Sequence, residues 1–155
     1  MPDHSFTITL KNNATEKAGI VFLESLKEGF FFVDSPTRKL ILQLLGQPNN
    51  YARSFDMVHV PRYAGTELTL EAIETHIDEV TLVELKTTKA FLPNNPKGFF
   101  FGATQNEFDF GERIGDKFRF CFVCLHPDSP SYALLSVPEL EEIIRTRRIQ
   151  YQINL

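Results

Sequence analysis

The run Glu79-Val80-Thr81-Leu82-Val83-Glu84-Leu85-Lys86-Thr87 does most to limit what this chain can fold into. Side chains alternate along a strand, so Val80, Leu82, Glu84 and Lys86 share one face while Val83 and Leu85 point to the other. A strand that is apolar on both faces over its first half belongs inside a sheet covered on both sides, and not at an edge. The two charges that follow stand on the order of 7 Å apart, at roughly 3.3 Å per residue. A carboxylate and an ammonium at the end of a buried strand cost desolvation energy unless they pair or meet a charged ligand.

Around this strand the chain punctuates itself with Pro, Gly and Asn. With 155 residues, 43% of them hydrophobic and 23% charged, it reads as a single globular domain over 1–155. Asn13 followed by Glu16 has the spacing of a capping box and predicts a helix over Ala14–Lys27, ended by Gly29. A short apolar strand follows at Phe30–Val33, then a helix over Pro36–Leu45 stopped by Gly46 and Pro48. Ser54–Val60 reads as a strand, and Gly65–Ile77 fits either a strand or a short helix. Thr104 with Glu107 predicts a helix ending near Gly115, and Lys117–Leu125 a further strand. Val137–Arg148 should be a closing helix, acidic at its start and basic at Arg145, Arg147 and Arg148, as the helix dipole favours. Interleaved helices and strands predict an α/β fold with helices packed on a sheet.

The net charge is -4, which argues against a protein that coats nucleic acid through bulk positive charge. The acidity is local. Between Asp56 and Glu84 there are seven acids and one base, Arg62. Met1–Leu10 lacks the basic-then-apolar pattern of a secretory signal, and no apolar run approaches the roughly 18 residues of a membrane span, so a cytoplasmic location without membrane partners is expected. Cys121 and Cys124 lie three apart on a predicted strand and so on opposite faces; two buried, reduced thiols are expected. His59, three positions from Asp56, points away from it, and His4, His76 and His126 have no zinc-site spacing. Phe99-Phe100-Phe101 reads as buried strand rather than a stacking platform.

Could Glu84 hold a cation? Mg²⁺ wants several oxygens at about 2.1 Å. Asp78, six residues back along the strand, is about 20 Å away. A second acid must come from a neighbouring strand, and Asp56 is so placed, with Glu67 and Glu71 as the other candidates. Asp56, Glu84 and the backbone carbonyl of Leu85 would offer three oxygens to one metal, and Lys86 could position or deprotonate a water for attack on phosphorus.

An acid on one strand and Glu84-Leu85-Lys86 on the next resembles the PD-(D/E)xK superfamily of restriction-endonuclease-like phosphodiesterases. The likeness spans about residues 14–125: a helix before the acid strand, the E-x-K strand, a helix and another strand. It implies a central mixed β-sheet flanked by helices, a restriction-endonuclease-like core. It also implies a Mg²⁺-dependent endonuclease, with Mn²⁺ as substitute metal, acting on DNA, with RNA left open, in restriction, defence or repair. By the same resemblance Asp56, Glu84 and Lys86 are catalytic, Asp56, Glu84 and Leu85 hold the metal, and Glu24 in the first helix and Gln105 in the later one are accessory. Lys89, Lys97 and Lys117, with Arg113 and Arg119, surround the site in sequence and would contact phosphates. A homodimer, or a subunit role in a larger complex, is expected of so small a domain. The competing expectation is a non-catalytic interaction or nucleic-acid-binding module of the same fold.

Overall fold

The computed structural model describes residues 2–155, with side chains from Ala14 onward. Among the described residues five α-helices and five strands follow in the order α1 (Pro2–Ser25), β1 (Phe30–Phe32), α2 (Ser35–Leu44), β2 (Met57–His59), α3 (Leu70–Thr75), β3 (Thr81–Thr88), α4 (Gln105–Ile114), β4 (Phe118–Cys124), β5 (Ser131–Leu135) and α5 (Val137–Ile143). The strands form one open sheet in chain order, β1-β2-β3-β4-β5. The first three pair antiparallel, β3 and β4 run parallel across the α4 crossover, and β5 returns antiparallel. The fold is α/β with a mixed sheet. β3 is its middle strand, as its two apolar faces require.

Each face of the sheet carries its own core. On one, Val58, Leu82, Phe118, Phe120 and Phe122 pack against Ile41 and Leu42 of α2, Phe110 of α4, and Val137 and Leu140 of α5. On the other, Met57, Val83, Leu85, Cys121 and Val123 meet Leu23 of α1 and Phe30. Each fully buried Phe contributes up to about 3 kcal/mol from area removed from water. Two glycines set how closely the helices seat. A Cβ on Gly19 would come within 2.5 Å of the Thr87 methyl, and one on Gly111 would run into Val137 and stand 2.9 Å from the Phe118 ring. Bare backbone at Gly19 thus lets α1 lie directly on β3, and at Gly111 lets α4 lie on α5 and β4.

Local signals explain most boundaries. Asp34 caps α2 by accepting from the Thr37 N–H, with Pro36 in the first turn. Thr69 caps α3 through the Ala72 N–H, which resolves the Gly65–Ile77 stretch as loop and helix. Thr104 and Glu107 form the full reciprocal capping box of α4.

Five expectations need correction. α1 runs from Pro2, so the helix does not open at Asn13, whose side chain lies outside the described residues. The second strand is only Met57–His59, because the Ser54 N–H turns back to the Tyr51 carbonyl and the Asp56 side chain takes over from the ladder. β5 was unforeseen: Ser131–Leu135 is half-buried throughout, too weakly patterned to stand out. α5 stops at Ile143, since Ile144 turns extended at ψ 123°, so the basic run lies beyond the helix and its dipole. Phe99–Phe101 is no strand; Phe99 and Phe101 pack edge-on against Phe122, while Phe100 is 91% exposed. Cys121 and Cys124 are both buried free thiols. No helix among the described residues is long and apolar enough to cross a membrane.

Candidate carboxylate-lysine site

β2 is so short that it covers only the first half of β3. Met57 lies opposite Val83, and one step further along this antiparallel register brings Asp56 beside Glu84. There the chain leaves the ladder. The Asp56 N–H still donates to the Val83 carbonyl (3.0 Å), but the next β3 donor, the Leu85 N–H, is accepted by Asp56 Oδ1 at 3.1 Å. A side chain thereby does the work of a missing strand residue, and its carboxylate is held against the middle of the sheet.

Three elements converge on this point. Glu84 and Lys86 project from one face of β3, and Lys86 Nζ donates to Glu84 Oε2 at 3.2 Å. The same ammonium donates to Glu107 Oε1, from the first turn of α4, at 2.6 Å. Glu107 Oε2 accepts from the Thr104 N–H (3.2 Å) and the Thr104 hydroxyl (3.0 Å), so both carboxylate oxygens are committed. From the other side α1 brings the Glu16 carboxyl against Asp56, where it favours the protonated form of Asp56. Glu84 and Glu107 are the two buried acids among the described residues.

Charge does not balance here. Two carboxyls, Glu84 and Glu107, contact the one ammonium, and Asp56 stands beside Glu84 with Glu16 behind it. Burial, and then the Glu16 carboxyl, push Asp56 well above the usual carboxylate range, with the Leu85 N–H and Lys86 opposing. Burial, then Asp56, raise Glu84 likewise against the pull of Lys86. Burial disfavours the Lys86 ammonium, yet Glu84 and Glu107 outweigh it and keep the group charged. Both carboxyls are thereby favoured in their protonated forms beyond the ordinary carboxylate range, a preference that a bound cation would oppose.

Do these residues suit a divalent metal? Among the described residues, no group of three or more His, Cys, Asp or Glu is placed to hold a metal ion. The arrangement expected from the sequence needs only two acids, Asp56 and Glu84, with a backbone carbonyl and waters, which is how Mg²⁺ is commonly held. An all-oxygen donor set with surplus negative charge suits a hard cation and not zinc. In donor chemistry the residues fit.

The other expected site residues lie apart. Glu24 is exposed and accepts the Phe32 N–H at 3.3 Å; it stands eight residues, roughly 12 Å of helix, from Glu16. Gln105 is exposed and donates to Asp109 at 2.9 Å. Lys117 donates to the Asp78 carbonyl at 2.9 Å, near the start of β3. It precedes Phe122, the register partner of Lys86, by five residues, which is roughly 16 Å of strand. Lys89 and Lys97 are exposed in the loop after β3. The Leu85 side chain is buried toward α1 and its N–H serves Asp56. Glu67 and Glu71 are exposed, and Asp56 is the acid facing Glu84. His59 stacks on Phe30 at 4.2 Å and contacts the Glu28 carbonyl at 3.0 Å, away from the cluster.

Glu16 and Glu107 were not foreseen as site members. Both carried a signal, because each precedes by three residues a glycine or phenylalanine that packs on the sheet (Gly19, Phe110), and residues three apart share a helix face. No family model, no curated protein and no solved structure matches the chain.

Proposed function

We propose that this chain is a metal-dependent nuclease of the PD-(D/E)xK type, hydrolysing phosphodiester bonds in DNA. The observation that carries the reading is the convergence of Asp56, Glu84 and Lys86 on one point of the central strand, where buried carboxyls outnumber cations. The order of elements supports it further: a helix, the acid strand, the E-x-K strand, then a helix crossing to a parallel strand.

In this reading Asp56 and Glu84 would hold Mg²⁺ or Mn²⁺ together with the Leu85 carbonyl. When bound, the metal supplies charge neutralisation at the phosphate and a more acidic water. Lys86 stays protonated, so it acts as a donor: it orients the attacking water or steadies a phosphate oxygen, and does not remove a proton. Glu107 fixes the ammonium from behind while its second oxygen is locked by Thr104, so the Lys86 head group cannot swing freely. The Glu16 carboxyl favours the protonated form of Asp56, which a bound cation would oppose. The two buried free thiols suit a cytoplasmic setting.

A second reading has its own observation. The Glu84-Lys86-Glu107 ion pairs satisfy the ammonium without any ligand, as a non-catalytic binding module of the same fold would need. Cleavage assays on plasmid, linear and single-stranded DNA and on RNA, with Mg²⁺ or Mn²⁺, separate the two. The nuclease reading expects cutting by the wild type, and a loss of about 10²-fold or more in Asp56→Ala, Glu84→Ala and Lys86→Ala. No cutting of any substrate, or cutting that the three variants share, would leave the binding module standing.

A further inference from the structure

The last seven residues, Ile149-Gln150-Tyr151-Gln152-Ile153-Asn154-Leu155, alternate strictly between apolar and polar. That is the period of a strand with one buried face. The segment has no secondary structure, and Ile149, Tyr151, Ile153 and Leu155 are each at least 76% exposed. Four large apolar side chains lined up in water on an extended chain call for a partner surface.

The sheet offers an edge for it. β1 and β5 are the outer strands. β1 is three residues long and its Phe32 N–H is already taken by Glu24. β5 is five residues long, pairs only with β4, and contains no charged residue. Strand addition to such an edge satisfies its free N–H and C=O groups without charge repulsion.

The root of the segment is tied by its side chain to the helix layer of its own copy. Arg147 donates to Glu141 of α5 at 2.7 Å and lies 5.3 Å over the Phe108 ring of α4. That ring in turn sits 5.4 Å from Phe120 of β4. The anchor therefore lies in the helix layer above β4. The position beyond β5 is two strand spacings away, roughly 10 Å sideways, and roughly 10 Å lower in the sheet layer. Only Arg148 separates Arg147 from Ile149, and two steps of extended chain span about 7 Å.

We propose that Ile149–Leu155 pairs with the open edge of β5 in a second copy of this chain, and that the second copy returns the same contact, giving a two-fold dimer. Edge and added strand come from the same polypeptide, so one interface closes both liabilities twice. Eight large side chains, at roughly 90 Å² each, with a matching area on the receiving edges, give about 1,400 Å², within the range of about 1,200–2,000 Å² for specific interfaces.

The test is solution mass by light scattering over a concentration series, with amide hydrogen exchange, on wild type, Tyr151→Pro and Ile153→Lys. Both changes lie outside the packed core, so a far-UV circular dichroism spectrum matching wild type confirms the fold. The expected result is a dimer whose tail and outer β5 amides are protected, with dissociation at least tenfold easier in both variants. A wild-type monomer overturns the proposal, whether its tail exchanges freely or is protected by folding back on its own sheet. A dimer that both variants leave unchanged overturns it too, because another surface would then hold the copies.

Discussion

Two helices of this chain open with the same four-residue device. At α4, Thr104 and Glu107 cap each other's backbone; at α5, Ser136 and Glu139 do so with the same partners and similar distances. Locally the two are interchangeable. Yet Glu139 is exposed and hydrogen-bonds within its own cap, whereas Glu107 is 4% exposed and spends its second oxygen on Lys86. One capping box only starts a helix; the other also fastens its helix to the Lys86 ammonium in the centre of the sheet. The difference arises from where each helix lands. α4 starts over β3, where a cation already needs partners, and α5 starts beside the sheet edge.

This contrast can be broken most easily at Glu107. Glu107→Ala removes both the cap and one of two carboxylates around a buried cation, and should cost about 3 kcal/mol in urea unfolding. Glu139→Ala should change the midpoint little. Equal losses in the two variants would mean that the Lys86 contact adds nothing to an ordinary cap. Gly111→Ala should cost about 2 kcal/mol, because the new methyl meets Val137 and Phe118 where α4 seats on α5. A thermal melt that matches wild type would show that the two helices tolerate wider spacing, and that Glu107 is not held as tightly as described.

The acid-rich side of the site sharpens the comparison through pH. A carboxyl whose pKa is raised on folding binds its proton more tightly in the folded chain, so the unfolded chain holds fewer protons and stability falls as pH rises. For Asp56 and Glu84 the fall begins at the ordinary values, 3.8 and 4.5, and continues until their raised folded values are passed. Asp34, Glu79 and Glu139 have lowered values and act oppositely only in more acidic solution, while His59, lowered by burial, opposes the two carboxyls below its ordinary value of 6.5 as a single group against two. Metal-free protein should therefore be more stable near pH 5 than near pH 8. Asp56→Asn, which can still accept the Leu85 N–H, should flatten that slope. A slope unchanged in Asp56→Asn would relieve Asp56 of the role given to it. Modest effects belong to the two cap hydroxyls. Thr104→Ala and Ser136→Ala should each cost about 1 kcal/mol, alike in both helices, if only the glutamates distinguish them.

How much of this was legible beforehand follows the same division between local and long-range causes. β3 was readable because its alternation of Val, Leu, Glu and Lys reports burial on both faces, and the register that it demands sets Asp56 beside Glu84. The boundaries of α4 were readable because a capping box is a local contact. Glu107 was not readable as a site member because its cap accounts for it locally, and Glu16 because a mid-helix position does not tell which strand residue it meets; only tertiary packing shows what else each side chain touches. β5 was hidden because an edge strand with five half-buried residues lacks contrast between its faces. The end of α5 was misplaced because a basic run suits a helix terminus as well as it suits Arg147 folding back onto Glu141 and Phe108.

The central claim is that the surplus of buried carboxyls around Lys86 is a cation site. Titration calorimetry of Mn²⁺ into wild type and Glu84→Gln, run in two buffers of different ionisation enthalpy, tests it most directly. Wild type should bind the metal with release of protons from the Asp56 and Glu84 pair, and Glu84→Gln should bind at least tenfold more weakly and release fewer. Absence of binding in wild type, or equal affinity and proton release in the variant, would contradict the account.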